Sequence, residues 1–364
     1  MVKTFVGTSS RHEAKAAVEE ACASIKNPKL LILFTSHDRL LEESELLMEK
    51  YPDTPCIGTS GTSFHNGRDM EQQLVVTAFL EGVEAICGVM EHISSMPLLG
   101  IKQVQEKAAK IAPGNENTVC IEFCTGAEEK MISTLQAGLA GKNIGVIGGT
   151  VYGYPADAVG AVSVNGKIYE DACAYVFIRN LTGKIKIYRE NIYGRSSGSV
   201  HIATKVDRKT RELIELDGRP TADVYSEETG IPKSKIVDSV LEYPLGRSVG
   251  DEIYIASMYA IGKNGSFVNY KQVNENDTIH ILKLLDYEEI MQQTREKISQ
   301  QMGRVSFILS VDCIYRYLLF SGKNYLSTYL KNMHSLGEHV GIVGGGEQFE
   351  NQHVNQTMVC AVFE

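Results

Sequence analysis

Short apolar runs alternate with stretches of helical spacing, and one arrangement of them occurs three times along the chain. Leu30-Leu-Ile-Leu-Phe34 reads as a buried strand, Leu40, Leu41, Ser44, Leu47 and Met48 share one helix face, and Cys56-Ile-Gly-Thr-Ser-Gly61 is a glycine-bearing second strand. Val119-Cys-Ile-Glu-Phe123 opens a second copy, with Met131, Ile132, Leu135 and Leu139 on its helix and Ile144-Gly-Val-Ile-Gly-Gly149 closing it. Val305-Ser-Phe-Ile-Leu309 opens a third, with a longer helical stretch before Gly341-Ile-Val-Gly-Gly-Gly-Glu347. A returning strand after the glycines completes a β-α-β-β unit.

Local signals fill in the frame. Ser10-Arg-His-Glu13 and Thr125-Gly-Ala-Glu128 have the form of capping boxes. His65-Asn-Gly67 reads as a turn, and Asn165-Gly166 as the type I′ turn of a hairpin. Asp286 caps a long helix with Tyr287, Ile290, Met291, Thr294 and Ile298 inward. The pattern changes near Glu215-Leu-Asp-Gly-Arg-Pro220, where a short helix is expected over 221–225. The expectation is an α/β fold (α+β mixed): repeated β-α-β-β units form mixed sheets packed against helices. Two domains are expected, 1–225 and 226–364, which suits a chain of 364 residues.

Composition narrows the function classes. A net charge of −9 argues against an electrostatic grip on nucleic acid. No apolar run is long enough for a membrane-spanning helix and no signal core stands at the N-terminus, so a cytoplasmic protein without membrane insertion is expected. The eight cysteines stand mostly singly in apolar segments and none has zinc-like spacing, so no metal site is expected from them; no cofactor is expected either.

Candidate chemistry concentrates in the third copy. Asp312-Cys-Ile-Tyr-Arg316 stands where the helix should begin, and Cys313 and Arg316 are three apart, on one helix face. A helix N-terminus favours anions, and a guanidinium added there suits a carboxylate. Gly346 and Glu347 end the glycine-rich segment, and His353, Asn355 and Thr357 alternate onto one face of a strand. Thr59, Ser60, Gly148 and Gly149, from the first two copies, are candidates for an opposite wall. Taken singly, Cys313 as core, Arg316 as half of a surface ion pair and 353–357 as a solvated sheet edge are the commoner uses of such residues. No phosphate-binding glycine motif is present. Cys313 with His353 leaves a cysteine nucleophile open.

These residues together resemble a known family. Asp312-Cys313-x-x-Arg316, Gly341, Gly346-Glu347 and His353-x-Asn355-Gln-Thr357 look like the C-terminal half of the FIST domain (F-box and intracellular signal transduction). Gly148-Gly149, the Asn165-Gly166 hairpin, Val206-Asp207 and Glu215 to Pro220 resemble its N-terminal segment. The resemblance runs from about Leu30 to Phe363. It implies a sensory module that binds a small ligand, with amino acids proposed, and that feeds kinase, cyclase or chemotaxis outputs. Cys313, Arg316, Glu347, His353, Asn355 and Thr357 are the positions it carries over. Thr62 stands where the family often has an acid after its first glycine turn, which sets the first copy apart. The reading is therefore a stand-alone small-molecule sensor, more a binding protein than an enzyme, working through a separate signalling partner. A hydrolase or acyl transferase using Cys313 and His353 is the alternative.

Overall fold

The structure, a computed structural model, describes residues 1–114 and 116–364. By compactness the chain forms two units. The first comprises residues 1–189, 294–353 and 358–364, and the second residues 190–293 and 354–357. Residues 225 and 226 both lie inside the second unit, so the expected division there concerns sequence segments and not these compact bodies.

The repeat is larger than the sequence pattern suggests. The first copy runs β1 (Lys3–Ser9), α1 (Ala14–Ala21), β2 (Leu30–Thr35), α2 (Leu40–Lys50), β3 (Cys56–Ser60), the hairpin β4 (Ser63–His65) and β5 (Arg68–Met70), and β6 (Leu74–Glu81). The second repeats it as β7 (Val83–Glu91), α3 (Ile101–Ile111), β8 (Thr118–Cys124), α4 (Glu128–Gly138), β9 (Gly145–Thr150), the hairpin β10 (Val162–Val164) and β11 (Lys167–Tyr169), and β12 (Ala172–Asn180). The third begins at β13 (Ile185–Glu190) and is then interrupted by the second unit.

That second unit is one nine-stranded antiparallel assembly: β14 (Tyr193–Arg195), β15 (His201–Asp207), β16 (Glu212–Leu216), β17 (Arg219–Pro220), β18 (Leu245–Val249), β19 (Glu252–Ala256), β20 (Met258–Ile261), β21 (Phe267–Asn269) and β22 (Thr278–Leu284). It also carries α5 (Thr221–Thr229), which runs four residues beyond the expected short helix and stops at Gly230 in the left-handed region, and α6 (Ile236–Ser239). The third copy resumes with α7 (Tyr287–Gln301), capped by Asp286 as expected, through Oδ1 to the Glu289 amide. It continues with β23 (Phe307–Cys313), α8 (Ile314–Gly322), α9 (Leu326–His334), β24 (Glu338–Gly344), the hairpin β25 (Glu347–Phe349) and β26 (Gln352–Val354), and β27 (Met358–Phe363).

The three copies exchange their hairpins in a cycle. Within each copy the two strands flanking the second helix are parallel: β2 with β3, β8 with β9, β23 with β24. Each second strand then pairs with another copy's hairpin: β3 with β10, β9 with β25, β24 with β4. Three six-stranded sheets of one order result: β1-β6-β2-β3-β10-β11, β7-β12-β8-β9-β25-β26, and β13-β27-β23-β24-β4-β5. No copy completes its sheet alone.

Apolar strand faces are covered by the helices. Leu31, Leu33 and Cys56 pack with Ala17, Val18, Leu40 and Leu47, and Cys120, Val146 and Cys173 pack with Met131, Ile132 and Leu135. The Asn-Gly turns are as expected, with Asn66, Gly67, Asn165 and Gly166 all at positive φ. Both expected capping boxes are not formed. Glu13 itself caps α1, accepting from the Ala16 amide, and Thr125 instead accepts from the Ala172 amide while Ala127, in the left-handed region, precedes α4.

Candidate functional site

Strand register aligns the copies residue by residue. Gly58, Gly148 and Gly341 hold the same place, facing Leu33, Glu122 and Ser310 on the first strand. A Cβ at any of the three would collide with that neighbour or the hairpin: Leu33 and Ser163 at Gly58, Glu122 at Gly148, Ser310 and Phe64 at Gly341. Two residues further on stand Thr35, Cys124 and Asp312, and four beyond those Arg39, Glu128 and Arg316. Each set sits where the first strand of a parallel pair ends and its helix begins, the usual place for ligands in α/β sheets.

The third copy builds its junction from buried charge. β23 continues through Asp312 and Cys313, so these are strand residues and Cys313 is the N-cap of α8, not a first-turn residue. Arg316 is fully buried. Its Nε lies 3.3 Å from Asp312 Oδ1, and its guanidinium stands over the Phe320 and Tyr329 rings, 4.7 and 5.1 Å from their centroids. Tyr329 donates to Asp312 Oδ1 at 2.6 Å, and Ser310 donates to Oδ2 at 3.1 Å. Ser310 Oγ also meets Nε2 of buried His339 at 2.9 Å. Because the Ser310 proton goes to Asp312, His339 Nε2 carries a proton and donates. Burial, with His334 and His65 nearby, holds the His339 imidazole neutral, its pKa pulled down to about 3.

Sequence spacing named Arg316 and Cys313 but not Asp312, Tyr329 or Ser310 as partners. Asp312 was legible: an acid at the end of an apolar strand needs a cation or donors. Tyr329, on α9, had no local signal. A cation at this junction is also not unique to copy three. Arg39 holds the same place in copy one, on Glu43 at 3.3 Å, and donates to the Ser36 hydroxyl and the Arg11 and Gln72 carbonyls. That guanidinium ties its own chain together.

Glu347 and His353 face opposite ways. Gln348 Nε2 donates to His353 Nδ1 at 3.1 Å, so His353 shares the Gln348 face, and Glu347, one residue along the strand, points to the other. Both are buried. Glu347 pairs in register with Gly149, and Gly346 precedes it at φ 153°. Asn355 and Thr357 belong to the second unit, where Asn355 Oδ1 accepts from the Ser257 amide at 3.4 Å. The expected alternation of 353, 355 and 357 along one strand is therefore not formed: β26 ends at Val354 and β27 begins at Met358.

Thr59, Ser60 and Gly149 meet Phe123, Val311 and Val343 around a cavity of about 10 Å³. That is room for one water at most. Gly148 lies outside that lining, beneath the Glu122 carboxyl. In the second copy Thr150 donates to Glu128 at 3.2 Å and accepts from Gln348 Nε2 at 3.2 Å.

Comparison with known proteins places this architecture. The FIST N domain matches residues 29–219 and the FIST C domain residues 221–350. The chain belongs to the FIST family. FIST domains are associated with signal transduction and small-ligand sensing. Their two segments meet at residue 220, at the start of α5. No curated protein matches the chain. Among solved structures, phosphoribosylformylglycinamidine synthase II from Thermotoga maritima is 10% identical, over 99% of this chain and 71% of that one. The TM-score between the two is 0.20. Among the described residues no helix is long and apolar enough to cross a membrane, and no cluster of His, Cys, Asp and Glu has metal-binding geometry.

Proposed function

We propose that this FIST protein senses a small acid or amino acid, and that its ligand's carboxylate is recognised at the third copy by Arg316. The observation that carries this is a fully buried guanidinium at the end of a parallel strand pair, beside a helix N-terminus. Arginine offers five donors in a planar fork matched to carboxylates, and Asp312 engages the Nε edge. The aromatic rings of Phe320 and Tyr329 fix the guanidinium plane, which pre-organises its orientation. Glu347 supplies a carboxyl group that an ammonium group would meet, and Cys313 is the N-cap residue at the helix start.

His353 enters as an orienting donor, held from its Nδ1 side by Gln348. The cysteine-nucleophile reading has no comparable support: with Nδ1 accepting from the amide, the neutral ring carries its proton on Nε2 and that nitrogen cannot take one from a thiol. Output through a separate kinase, cyclase or chemotaxis protein, in the cytoplasm, belongs to the same proposal. Mass spectrometry of small molecules released on denaturing freshly purified protein tests it. The expected result is a carboxylate metabolite in stoichiometric yield from wild type and a reduced yield from Arg316→Lys. Equal yields of every metabolite from both proteins would contradict it.

A further inference from the structure

Strand β8 carries a single charged residue, Glu122, which is fully buried. Its Oε2 accepts from the Cys173 thiol at 3.3 Å, and its Oε1 has no hydrogen-bond partner among the described residues. The carboxyl lies directly over Gly148: a Cβ there would come within 2.2 Å of Glu122 Oε1. On the other side of Gly148, in the same cross-strand row, stands Gln348. Glu122, Gly148 and Gln348 thus share one sheet face, with the glycine leaving the gap over which the two long side chains approach.

The Gln348 amide has its orientation set from the far side. Thr150 gives its proton to Glu128, so its oxygen accepts, and the atom of Gln348 facing it is the NH2. The same Nε2 faces His353 Nδ1. Gln348 Oε1 is left buried with no partner among the described residues. Two buried oxygens without partners therefore flank Gly148. Burial, and then the charge of Glu128, raise the Glu122 pKa well above the ordinary carboxyl value, which favours the neutral form. A neutral carboxyl has a hydroxyl to give.

We infer that Glu122 is a positioning residue: it donates from Oε1 to Gln348 Oε1, and so holds His353 as the Nε2–H tautomer. The chain runs Glu122 O–H to Gln348 C=O, then Gln348 N–H to His353 Nδ1. His353 then presents a hydrogen-bond donor from Nε2, suited to an anionic or carbonyl oxygen. This deepens the reading of His353 as a ligand contact and rests on it only for that last consequence. Glycine at 148 is part of the device, since any side chain would separate the two partners.

The test uses ligand-free, nitrogen-15-labelled full-length protein, so it stands or falls apart from ligand binding. Histidine ring nitrogens are read in multiple-bond proton–nitrogen spectra, with Glu122→Gln and Glu122→Leu variants and His353→Gln for assignment. The expected result is a single His353 tautomer, bare at Nδ1, in wild type and in Glu122→Gln, whose amide replaces the hydroxyl donor. Glu122→Leu loses that single tautomer. An Nδ1–H tautomer in wild type, or an unchanged spectrum in Glu122→Leu, overturns the inference. Where Glu122→Leu does not fold, infrared spectra of wild type against Glu122→Gln decide. A protonated-carboxyl band at neutral pH, lost in Glu122→Gln, supports it, and absence of that band from wild type overturns it.

Discussion

Asp312 and Arg316 meet across the junction of β23 and α8 as a buried ion pair, Oδ1 to Nε 3.3 Å, with side chains 2% and 1% exposed. Breaking one half leaves a buried charge without its counter-charge. Arg316→Met is expected to cost about 3–5 kcal/mol of unfolding free energy. Replacing both, as Asp312→Asn with Arg316→Met, is expected to recover a substantial part of that loss. Urea unfolding of the two single variants and the double variant gives the coupling directly. Additive losses would show that the pair is not a unit.

His339 links the same network to pH. Its folded pKa lies near 3, below the ordinary value of 6.5. Protons therefore bind the unfolded chain more readily, and the contribution to stability is full above pH 6.5. It is lost as pH falls from 6.5 toward 3, at up to about 1.4 kcal/mol per pH unit. A His339→Gln variant, measured by thermal unfolding across that window, is expected to lose less stability on acidification than wild type. An equal acid response in both would show that His339 is not the titrating group.

The second unit holds a histidine of opposite sign. His201 bridges Asp217 at 2.6 Å and Glu228 at 2.7 Å. Burial opposes its charge, but the hydrogen bonds and charges of Glu228 and Asp217 outweigh that and raise its pKa. Its stabilising contribution is full below pH 6.5 and is lost as pH rises through the raised folded value. Both carboxylates are lowered, so their share is lost in acid instead. His201→Gln is expected to flatten the alkaline side of the stability profile. Side-chain titration by nuclear magnetic resonance checks it: a His201 pKa at or below 6.5 contradicts the assignment.

Gly148 is irreplaceable for a steric reason. A Cβ would lie 2.2 Å from both the main-chain oxygen and Oε1 of Glu122. The main-chain contact cannot be relieved by rotating a side chain, so Gly148→Ala is expected to cost about 1–3 kcal/mol. Chemical denaturation measures it, and a loss below roughly 0.5 kcal/mol, the range of neutral surface changes, would show that the strand pair yields easily.

The three strand–helix–strand units were legible because buried parallel strands read as apolar runs and their helices as a repeating face. The Asn-Gly turns were legible because few other pairs accept two positive φ values. The hairpin exchange was not, since β3 joins β10 across a hundred residues and no local pattern encodes which copy a hairpin serves. The insertion of residues 190–293 within copy three was hidden for the same reason, and a composition change near 220 drew the boundary instead. At the site, the spacing of Cys313 and Arg316 pointed to the strand–helix junction, but not to the Asp312–Arg316 pair that forms there. Glu347 and His353 were grouped by nearness in sequence, although strand alternation turns them to opposite faces. Glu122 stood in plain view, a lone acid among Val119, Cys120, Ile121 and Phe123, and its burial is the signal that was there to read.

The central claim is that Arg316 receives a ligand carboxylate. Thermal unfolding of wild type and Arg316→Lys against a panel of the free amino acids and small carboxylic acids tests it most directly. Lysine keeps the charge and loses the fork. At a 100-fold excess over Kd a bound ligand adds about 2.7 kcal/mol, several degrees of Tm in a single compact unit. At least one carboxylate is expected to raise the wild-type Tm, and Arg316→Lys to lose most of that rise. If every compound that stabilises wild type stabilises Arg316→Lys equally, Arg316 is not the carboxylate site.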